Sequence, residues 1–313
     1  MAEAQGFIEK KVLSSDGVHM LAGRVYVPEG RPKGIYQVVH GMSEYTVRYD
    51  FFMRRLRDEG YLVFGYDHLG HGYTVNDESE YGFIAHKDGW KRLVEDIGVF
   101  ANAVRDEYGR DLPYYLMGHS MGSFIVRLAA SNYIGTANYS KPEKLIVMGT
   151  GGPNPAAGIG LFLTKITKFF KGEKAYSTFL EFLAFGSYNS HFKEENDRRS
   201  WLSKDRAIRN MYKNDTHCSF RFTVSALSDL MQLTKNCNSK KWFREFPEDI
   251  PVFLVSGSDD PVGDYGKGVI KVRDNLQAAG KNVKMKLYED NRHEVLNDSA
   301  APEVTADILD FIK

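Results

Sequence analysis

The sequence predicts an α/β protein built on a mostly parallel sheet of eight strands, with helices on both faces and one helical insertion. Short apolar runs bounded by turn residues alternate along the chain with segments of helical periodicity, which is typical of parallel sheets. A turn signal, Ser-Ser-Asp-Gly at residues 14–17, separates two N-terminal strand patterns and predicts an antiparallel hairpin at the sheet edge. One long segment interrupts this alternation with helical patterns alone.

Each pair of consecutive central strands has a helical segment between them, as a parallel sheet requires. The hairpin strands are predicted at residues 7–13 and 19–27, and the six central strands at residues 34–40, 62–67, 114–118, 145–150, 252–257 and 283–288. The helices outside the insertion are predicted at residues 49–58, 90–108, 123–131, 266–279 and 302–312.

The helical insertion opens with Gly and Pro after residue 150 and is rich in Phe, Tyr and Lys. Pro247 and Pro251 bracket the return to the strand pattern. We therefore expect a core formed by residues 1–152 and 250–313, interrupted by an insertion over the sheet at residues 153–249.

Composition excludes several functional classes. The 313 residues include 41 Lys plus Arg and 41 Asp plus Glu, so no net field favours nucleic acid. Two cysteines, Cys218 and Cys237, are too few for a disulfide framework and lack metal-ligand spacing, so we expect reduced thiols. The first nine residues do not resemble a signal peptide and no apolar run is long enough to span a membrane, which predicts a cytoplasmic protein.

The strongest candidate for chemistry is Gly-His-Ser-Met-Gly at residues 118–122, directly after a predicted strand and before a predicted helix. In such a nucleophile elbow the glycines leave room for a sharp turn that exposes the serine hydroxyl above the sheet. The pattern alone arises by chance, but the strand and helix around it favour Ser120 as a nucleophile over a serine in a surface turn.

A serine nucleophile needs a base and an acid that orients the base. In this kind of fold they follow the serine in the order acid, then histidine, on loops at the carboxyl ends of later strands. Asp259 and Asp260 follow one such strand, and the Pro after Asp260 favours the second of them. His293 follows the next strand and is the candidate base; its alternative interpretation is a local loop contact.

Two backbone amides are candidates for binding the oxyanion of the reaction. The Met121 amide lies at the start of a predicted helix, and the Met42 amide lies in the loop after residue 40. His40 precedes the serine, so we expect it to hold that loop rather than act as base. His68 and His71 have no carboxylate or thiol at a supporting spacing, which favours a structural turn over a metal site. Nucleotide-binding glycine motifs are also missing, so we expect neither metal nor cofactor.

Four blocks together carry a resemblance to a known family. They are His-Gly-Met-Ser-Glu at 40–44 with Arg48 and Tyr49, Asp-His-Leu-Gly-His-Gly at 67–72, the elbow at 118–122, and Tyr288 with Arg-His-Glu at 292–294. In this order they resemble the monoacylglycerol lipase and lysophospholipase branch of the α/β-hydrolases, which shades into serine aminopeptidase-like enzymes.

The resemblance implies the α/β-hydrolase fold, with the insertion as its cap. It also implies Ser120 as nucleophile, Asp260 as acid, His293 as base, and the amides of Met42 and Met121 as oxyanion donors. Thr74 stands where many members have serine, which leaves the triad untouched.

A segment of the insertion, residues 159–171, is amphipathic when placed on a helix. Ile, Leu and Phe side chains share one face, and Lys165, Lys168 and Lys171 lie on the other. We expect the apolar face to pack on the sheet or to line an acyl pocket, because such faces are usually core, with contact to an anionic membrane surface as the alternative.

We expect a cofactor-independent serine hydrolase that releases a fatty acid from a monoacylglycerol or a lysophospholipid through an acyl-enzyme. The alternatives are a serine peptidase or amidase, a carboxylesterase for small esters and, furthest away, a non-catalytic ligand-binding protein. The expected partner is a lipid-like acyl ester, not a nucleic acid, and the oligomeric state stays open.

Overall fold

A computed structural model describes residues 6–155 and 157–313, and its centre is one eight-stranded sheet. The strands are β1 (Ile8–Leu13), β2 (Met20–Tyr26), β3 (Ile35–Val39), β4 (Leu62–Tyr66), β5 (Tyr114–His119), β6 (Lys144–Met148), β7 (Val252–Gly257) and β8 (Val283–Tyr288). Their spatial order is β1-β2-β4-β3-β5-β6-β7-β8. The predicted fold class is confirmed. The signal-peptide prediction falls partly on residues 1–5, outside the described residues.

The pairing within the sheet follows the predicted pattern. β1 and β2 form the antiparallel hairpin, β2 also pairs antiparallel with β4, and the pairs from β4 through β8 are parallel. β3 to β7 are buried along nearly their whole length, as expected of strands covered on both faces.

Among the described residues, α-helices cover both faces of the sheet and also form the insertion. They are α1 (Asp50–Asp58), α2 (Gly89–Tyr108), α3 (Met121–Ala130), α4 (Ala157–Lys171), α5 (Thr178–Phe185), α6 (Arg206–Asn214), α7 (Val224–Cys237), α8 (Lys240–Glu245), α9 (Lys267–Ala278) and α10 (Ala301–Ile312). Five of them, α4 to α8, lie between β6 and β7.

The hydrophobic core has two parts, one on each face of the sheet. The side chains of α1 and α10 pack on one face, whereas those of α2, α3 and α9 pack on the other together with apolar residues of α7 and α8. The insertion therefore shares a core with the sheet. This arrangement fixes the carboxyl ends of β3, β5, β7 and β8, where the candidate catalytic residues lie.

The apolar face of α4 does not pack as the sequence analysis expected. Phe169 is 84% exposed, Phe170 is 78% exposed, and Ile159, Phe162 and Ile166 are exposed as well, while Leu163 is half-buried. The expectation that this face packs on the sheet or lines a pocket was wrong for Phe162, Ile166, Phe169 and Phe170, whereas Ile159 and Leu163 line a cavity.

The side of α4 that packs against the rest of the protein includes a glycine, a threonine and a leucine. Leu161 and Thr164 are buried, and a Cβ on Gly160 would lie 2.8 Å from the Met231 sulfur of α7, so the two helices approach closely there. Lys168 also faces the protein, where its Nζ donates to the His86 carbonyl at 3.1 Å. Close packing and this polar contact turn the large apolar side chains outward.

Candidate active site

The candidate nucleophile Ser120 lies at the junction of β5 and α3, in a backbone conformation that residues other than glycine rarely adopt. Its φ is 54° and its ψ is −120°. The turn leaves no space at its two glycines: a Cβ on Gly118 would lie 2.3 Å from the Gly122 oxygen, and a Cβ on Gly122 would lie 2.3 Å from the Val39 oxygen. The residues at 118–122 therefore form the sharp turn that the motif predicted.

The structure brings the candidate acid and base together. His293 Nδ1 lies 2.9 Å from Asp260 Oδ2, and both residues are buried, at 2% and 0% exposure. The Asp260 carboxylate also accepts from the Val262 amide at 2.9 Å and from the Ser256 hydroxyl at 3.3 Å. These bonds satisfy its charge and fix its orientation, so that it can hold His293 Nδ1 as the donor.

Ser120 and His293 line the same cavity, of about 430 Å³, at the carboxyl end of the sheet. Met42 and Met121, whose amides are the candidate oxyanion donors, line it too. The first amides of a helix have no partner within the helix, and the Met121 amide is the first of α3. The loop of Met42 approaches the nucleophile closely, because a Cβ on Gly41 would lie 3.0 Å from Ser120 Cβ.

Three histidines, His40, His68 and His71, are held in the loops after β3 and β4. His40 Nδ1 contacts the Gly41 oxygen at 2.8 Å and His40 Nε2 accepts from the His68 amide at 3.0 Å. Burial lowers the pKa of His71 to about 3 and that of His68 well below its usual value. All three are therefore neutral side chains that brace the loops.

The side chains of the described residues do not form a cluster that suggests a metal site. Among residues 6–155 and 157–313, no group of three or more His, Cys, Asp or Glu side chains could hold a metal ion. Cys218 and Cys237 are both buried and free. Within the same residues, no helix is long and apolar enough to cross a membrane.

A second cavity, of about 270 Å³, lies beside the first among α4, α5 and α7. The two share five wall residues, namely Phe124, Phe185, Tyr188, Leu230 and Val262. None of the described residues that line the second cavity carries a charge, whereas the first is also lined by Glu44, Glu181, Arg198, Arg199 and Glu294. Sequence reasoning missed this division, because the walls come from helices far apart along the chain.

Sequence reasoning also missed a group of buried charges behind the nucleophile. Glu44, Arg48 and Glu294 form ion pairs there, with N–O distances of 2.7 Å between Arg48 and each carboxylate. The signal was present, since these residues belong to the blocks that carried the family resemblance, but no pattern in the sequence indicates that they meet.

Comparison with known proteins gives one family over most of the chain. The Hydrolase_4 family, described as serine aminopeptidase S33, matches residues 30–300. The monoglyceride lipase of Rattus norvegicus is 26% identical over 304 residues, which is 95% of this chain and 86% of that lipase. The monoacylglycerol lipase of Mycolicibacterium smegmatis is 24% identical over 92% of this chain and 91% of its own.

Solved structures give the same result. A thermostable carboxyl esterase from Bacillus coagulans, in complex with glycerol, is 32% identical with a TM-score of 0.90 over 98% of both chains. The monoglyceride lipase of Saccharomyces cerevisiae, solved as a soluble variant with a substrate analogue, has a TM-score of 0.73 at 19% identity. It covers 95% of this chain and 92% of its own, and its likeness concerns the fold.

Proposed function

The chain belongs to the Hydrolase_4 family of α/β-hydrolases and is a carboxylic-ester hydrolase, and from this premise we propose that it releases a fatty acid from a monoacylglycerol or a lysophospholipid. The observation that carries the proposal is the buried His293–Asp260 pair in the cavity that Ser120 also lines. Neither a cofactor nor a metal is needed for this chemistry.

In the proposed mechanism the Ser120 oxygen attacks the ester carbonyl while His293 takes the hydroxyl proton. Asp260 keeps His293 in the tautomer that accepts at Nε2, and stabilises the imidazolium that forms. The amides of Met42 and Met121 donate to the oxyanion. His293 then gives its proton to the departing alcohol, and a water activated by His293 releases the fatty acid from Ser120.

The two cavities suggest how an ester lies in the site. We place the acyl chain in the uncharged cavity among α4, α5 and α7, and the alcohol toward the charged wall of the first cavity. Phe124 supports this placement, because it belongs to both cavities and lies one helical turn after Ser120. An apolar compartment favours the chain by about 0.8 kcal/mol per buried methylene.

The exposed apolar side chains of α4 and α5 support contact with a lipid surface. In this proposal residues 153–249 act as a cap, and substrate enters the site through it. Phe179 and Phe182 on α5 are exposed, as are Phe169 and Phe170 on α4. Lys165 lies on the same exposed stretch of α4, which suits an anionic bilayer. The second cavity lies directly beneath, since Ile159 and Leu183 line it and are exposed on the outside.

A peptidase or amidase is the competing function, and the carboxylates of the first cavity argue against one form of it. An aminopeptidase needs a carboxylate to bind the free amino group of its substrate. Among the described lining residues, Glu44 and Glu294 are paired with Arg48, and Glu181 accepts two hydrogen bonds from Arg221, at 2.8 and 2.9 Å. Each of these carboxylates is therefore already held in an ion pair with an arginine.

The test compares substrate classes and the Ser120→Ala variant. We expect hydrolysis of medium and long acyl monoglycerides and lysophospholipids, little hydrolysis of aminoacyl amides, and loss of at least about 10³-fold in kcat for Ser120→Ala. Preference for the amides would favour the peptidase, and full ester hydrolysis by Ser120→Ala would refute the mechanism.

A further inference from the structure

Five side chains form a buried polar cluster directly behind the nucleophile, which we call the Glu44 cluster: Glu44, Arg48, Tyr49, His119 and Glu294. They come from the loop after β3, the 3₁₀ turn Thr46–Tyr49, the end of β5 and the loop after β8. Glu44 is 3% exposed and His119 is 4% exposed. The cluster thus joins the loop of the oxyanion donor Met42 to the loop of the base His293.

Glu44 lies at the centre of the cluster. One oxygen, Oε1, accepts from the Gly41 amide at 2.6 Å and from the Tyr49 hydroxyl at 2.7 Å. The other, Oε2, accepts from Arg48 at 2.7 Å. Arg48 in turn donates to both oxygens of Glu294, each at 2.7 Å. A bidentate pair of this kind fixes the two loops in one geometry.

The hydrogen bonds of His119 determine where its protons lie. The Tyr49 hydroxyl has a single proton and donates it to Glu44, so the Tyr49 oxygen, 2.8 Å from His119 Nδ1, accepts from that nitrogen. His119 Nε2 lies 3.1 Å from the backbone oxygen of His293, which can only accept. Both ring nitrogens therefore carry protons, and the ring is an imidazolium.

Charge balance supports the same assignment. Two carboxylates in the cluster face one guanidinium, so an imidazolium makes the buried group neutral, and an uncompensated buried charge is costly. Burial opposes the charge on His119, but the hydrogen bond and charge of Glu44 outweigh it and raise the pKa of His119 above its ordinary value. The pKa of Tyr49 is well above its usual range, first because of burial and then because of Glu44, so its hydroxyl keeps its proton.

Two further histidines, His40 and His293, face His119. Burial first, and charge repulsion from His119 as a smaller cause, lower the pKa of His40, which lies just after β3, so His40 stays neutral beside the charged ring. The ring of His293 lies 4.6 Å from the ring of His119, centroid to centroid. Glu44, Tyr49, Arg48 and Glu294 are the remaining charged or titratable groups of the cluster.

We propose that His119 is a permanent imidazolium at neutral pH that positions His293 by donating from Nε2 to its backbone carbonyl. This inference rests on the proposed role of His293 as base. The Glu44 cluster holds the charge in place, so the base and the oxyanion loop keep one spacing across Ser120. His119, which directly precedes Ser120 in the sequence, is thus a positioning residue.

The protonation state is tested by NMR of the wild-type protein labelled with ¹⁵N-histidine, with His119→Gln used to assign the signals. We expect both ring nitrogens of His119 to carry protons from pH 6 to pH 8, and one of them to lose its proton at neutral pH in Glu44→Gln. A wild-type His119 with one bare ring nitrogen at pH 7.5 overturns the proposal. This measurement uses no substrate, so it fails or succeeds independently of the proposed function.

The positioning role is tested by kinetics per active site, titrated with a fluorophosphonate. His119→Leu loses the donor, and we expect kcat to fall about 10²-fold with KM changed less than about threefold, since misplacement of a catalytic group by 1 Å costs that much. His119→Gln keeps a donor and is expected to recover part of the loss. An unchanged kcat per titrated site in His119→Leu contradicts the positioning role.

Asp96→Asn is the matched control for loss of a buried polar contact. Asp96 lies in α2 and accepts from the Ser14 hydroxyl at 2.8 Å, and it lines neither cavity. We expect this variant to lower the melting temperature while kcat per titrated site stays within about twofold. A similar loss of kcat in this control would mean that the kinetic effect of His119→Leu reports stability alone.

Discussion

Asp259 and Asp260 are neighbours in the sequence but have different surroundings. The Asp260 carboxylate is fully buried against His293 Nδ1, whereas Asp259 is half-buried and contacts the Ser258 hydroxyl at 3.1 Å. The sequence offered both carboxylates, and only Pro261 and the family resemblance favoured Asp260. The difference in burial arises from the turn that follows β7, where the Asp260 amide bonds the Gly257 oxygen.

The roles of these two residues are tested by a pair of conservative substitutions. Asp260→Asn is expected to lower kcat by about 10³- to 10⁴-fold, because the amide cannot hold His293 in the tautomer that accepts from Ser120. Asp259→Asn, the matched control, should stay within about twofold of wild type. Steady-state hydrolysis of a chromogenic ester measures both, and equal losses in the two variants would disprove the assignment of Asp260.

At the scale of elements, α4 shows what a periodic pattern can and cannot predict. The pattern of residues 159–171 correctly predicts an amphipathic helix, but not which side packs. That depends on a tertiary contact between Gly160 and Met231, 71 positions further along the chain. The strands and outer helices were easier to predict, because their apolar runs are buried by neighbours that the alternation itself implies.

The exposed face of α4 leads us to predict that the protein binds membranes through it. Replacing both Phe169 and Phe170 by Ser should weaken binding to vesicles that contain anionic lipid by about tenfold or more, because two large apolar side chains no longer enter the interface. Hydrolysis of a short water-soluble ester should not change, since neither residue lines either of the two cavities beside Ser120.

Co-sedimentation with vesicles measures this binding. Phe51→Ser is the control, because Phe51 is 80% exposed but lies on α1, outside the insertion. Vesicle binding that is equal for the wild type, the double variant and the control would show that this face does not contact lipid.

The second cavity leads to a prediction about the length of the acyl chain that the protein accepts. Ala184→Trp fills it from α5, so we expect activity on long acyl esters to fall by about fourfold for each methylene that loses its place, while acetyl and butyryl esters react as before. Phe182→Trp alters an exposed neighbour on the same helix that lines neither cavity, and it should keep the wild-type profile.

The measurement is kcat/KM across p-nitrophenyl esters of increasing chain length. A wild-type profile in Ala184→Trp would place the acyl chain elsewhere. Equal loss for short and long esters would indicate damage to the catalytic residues instead.

At the scale of the whole molecule, Asp229 connects the insertion to the core. This buried residue of α7 accepts from the Trp90 amide of α2 at 2.9 Å, so a helix of the insertion caps a helix of the sheet layer. Burial raises the pKa of Asp229 from 3.8 to about 7. Between those values the folded protein keeps a proton that the unfolded chain has lost, and stability therefore falls as the pH rises through this range.

The Asp229→Asn variant removes this titration. We expect its melting temperature to depend less on pH between 5 and 8 than that of the wild type, with a difference of at least about 2–4 °C, the shift that 1 kcal/mol gives in a large domain. Thermal unfolding followed by circular dichroism at several pH values measures it. Parallel curves for the two proteins would show that Asp229 does not titrate in this range.

Residues close in the sequence or arranged by strand order could be predicted, including the elbow at 118–122 and a histidine after the last strand. The Glu44 cluster could not, because it joins residues 44, 119 and 294 through contacts that only the folded sheet creates. The two cavities escaped prediction for the same reason. The candidate catalytic groups could therefore be found from the sequence, whereas the residues that support them and the two cavities required the fold.

The central claim, that Ser120 is the nucleophile, is tested most directly by intact-mass and peptide mass spectrometry after reaction with a fluorophosphonate. We predict one adduct per chain, located on Ser120, formed in parallel with the loss of ester hydrolysis and absent from Ser120→Ala. An adduct on another residue, or hydrolysis that survives complete labelling of Ser120, would contradict the account.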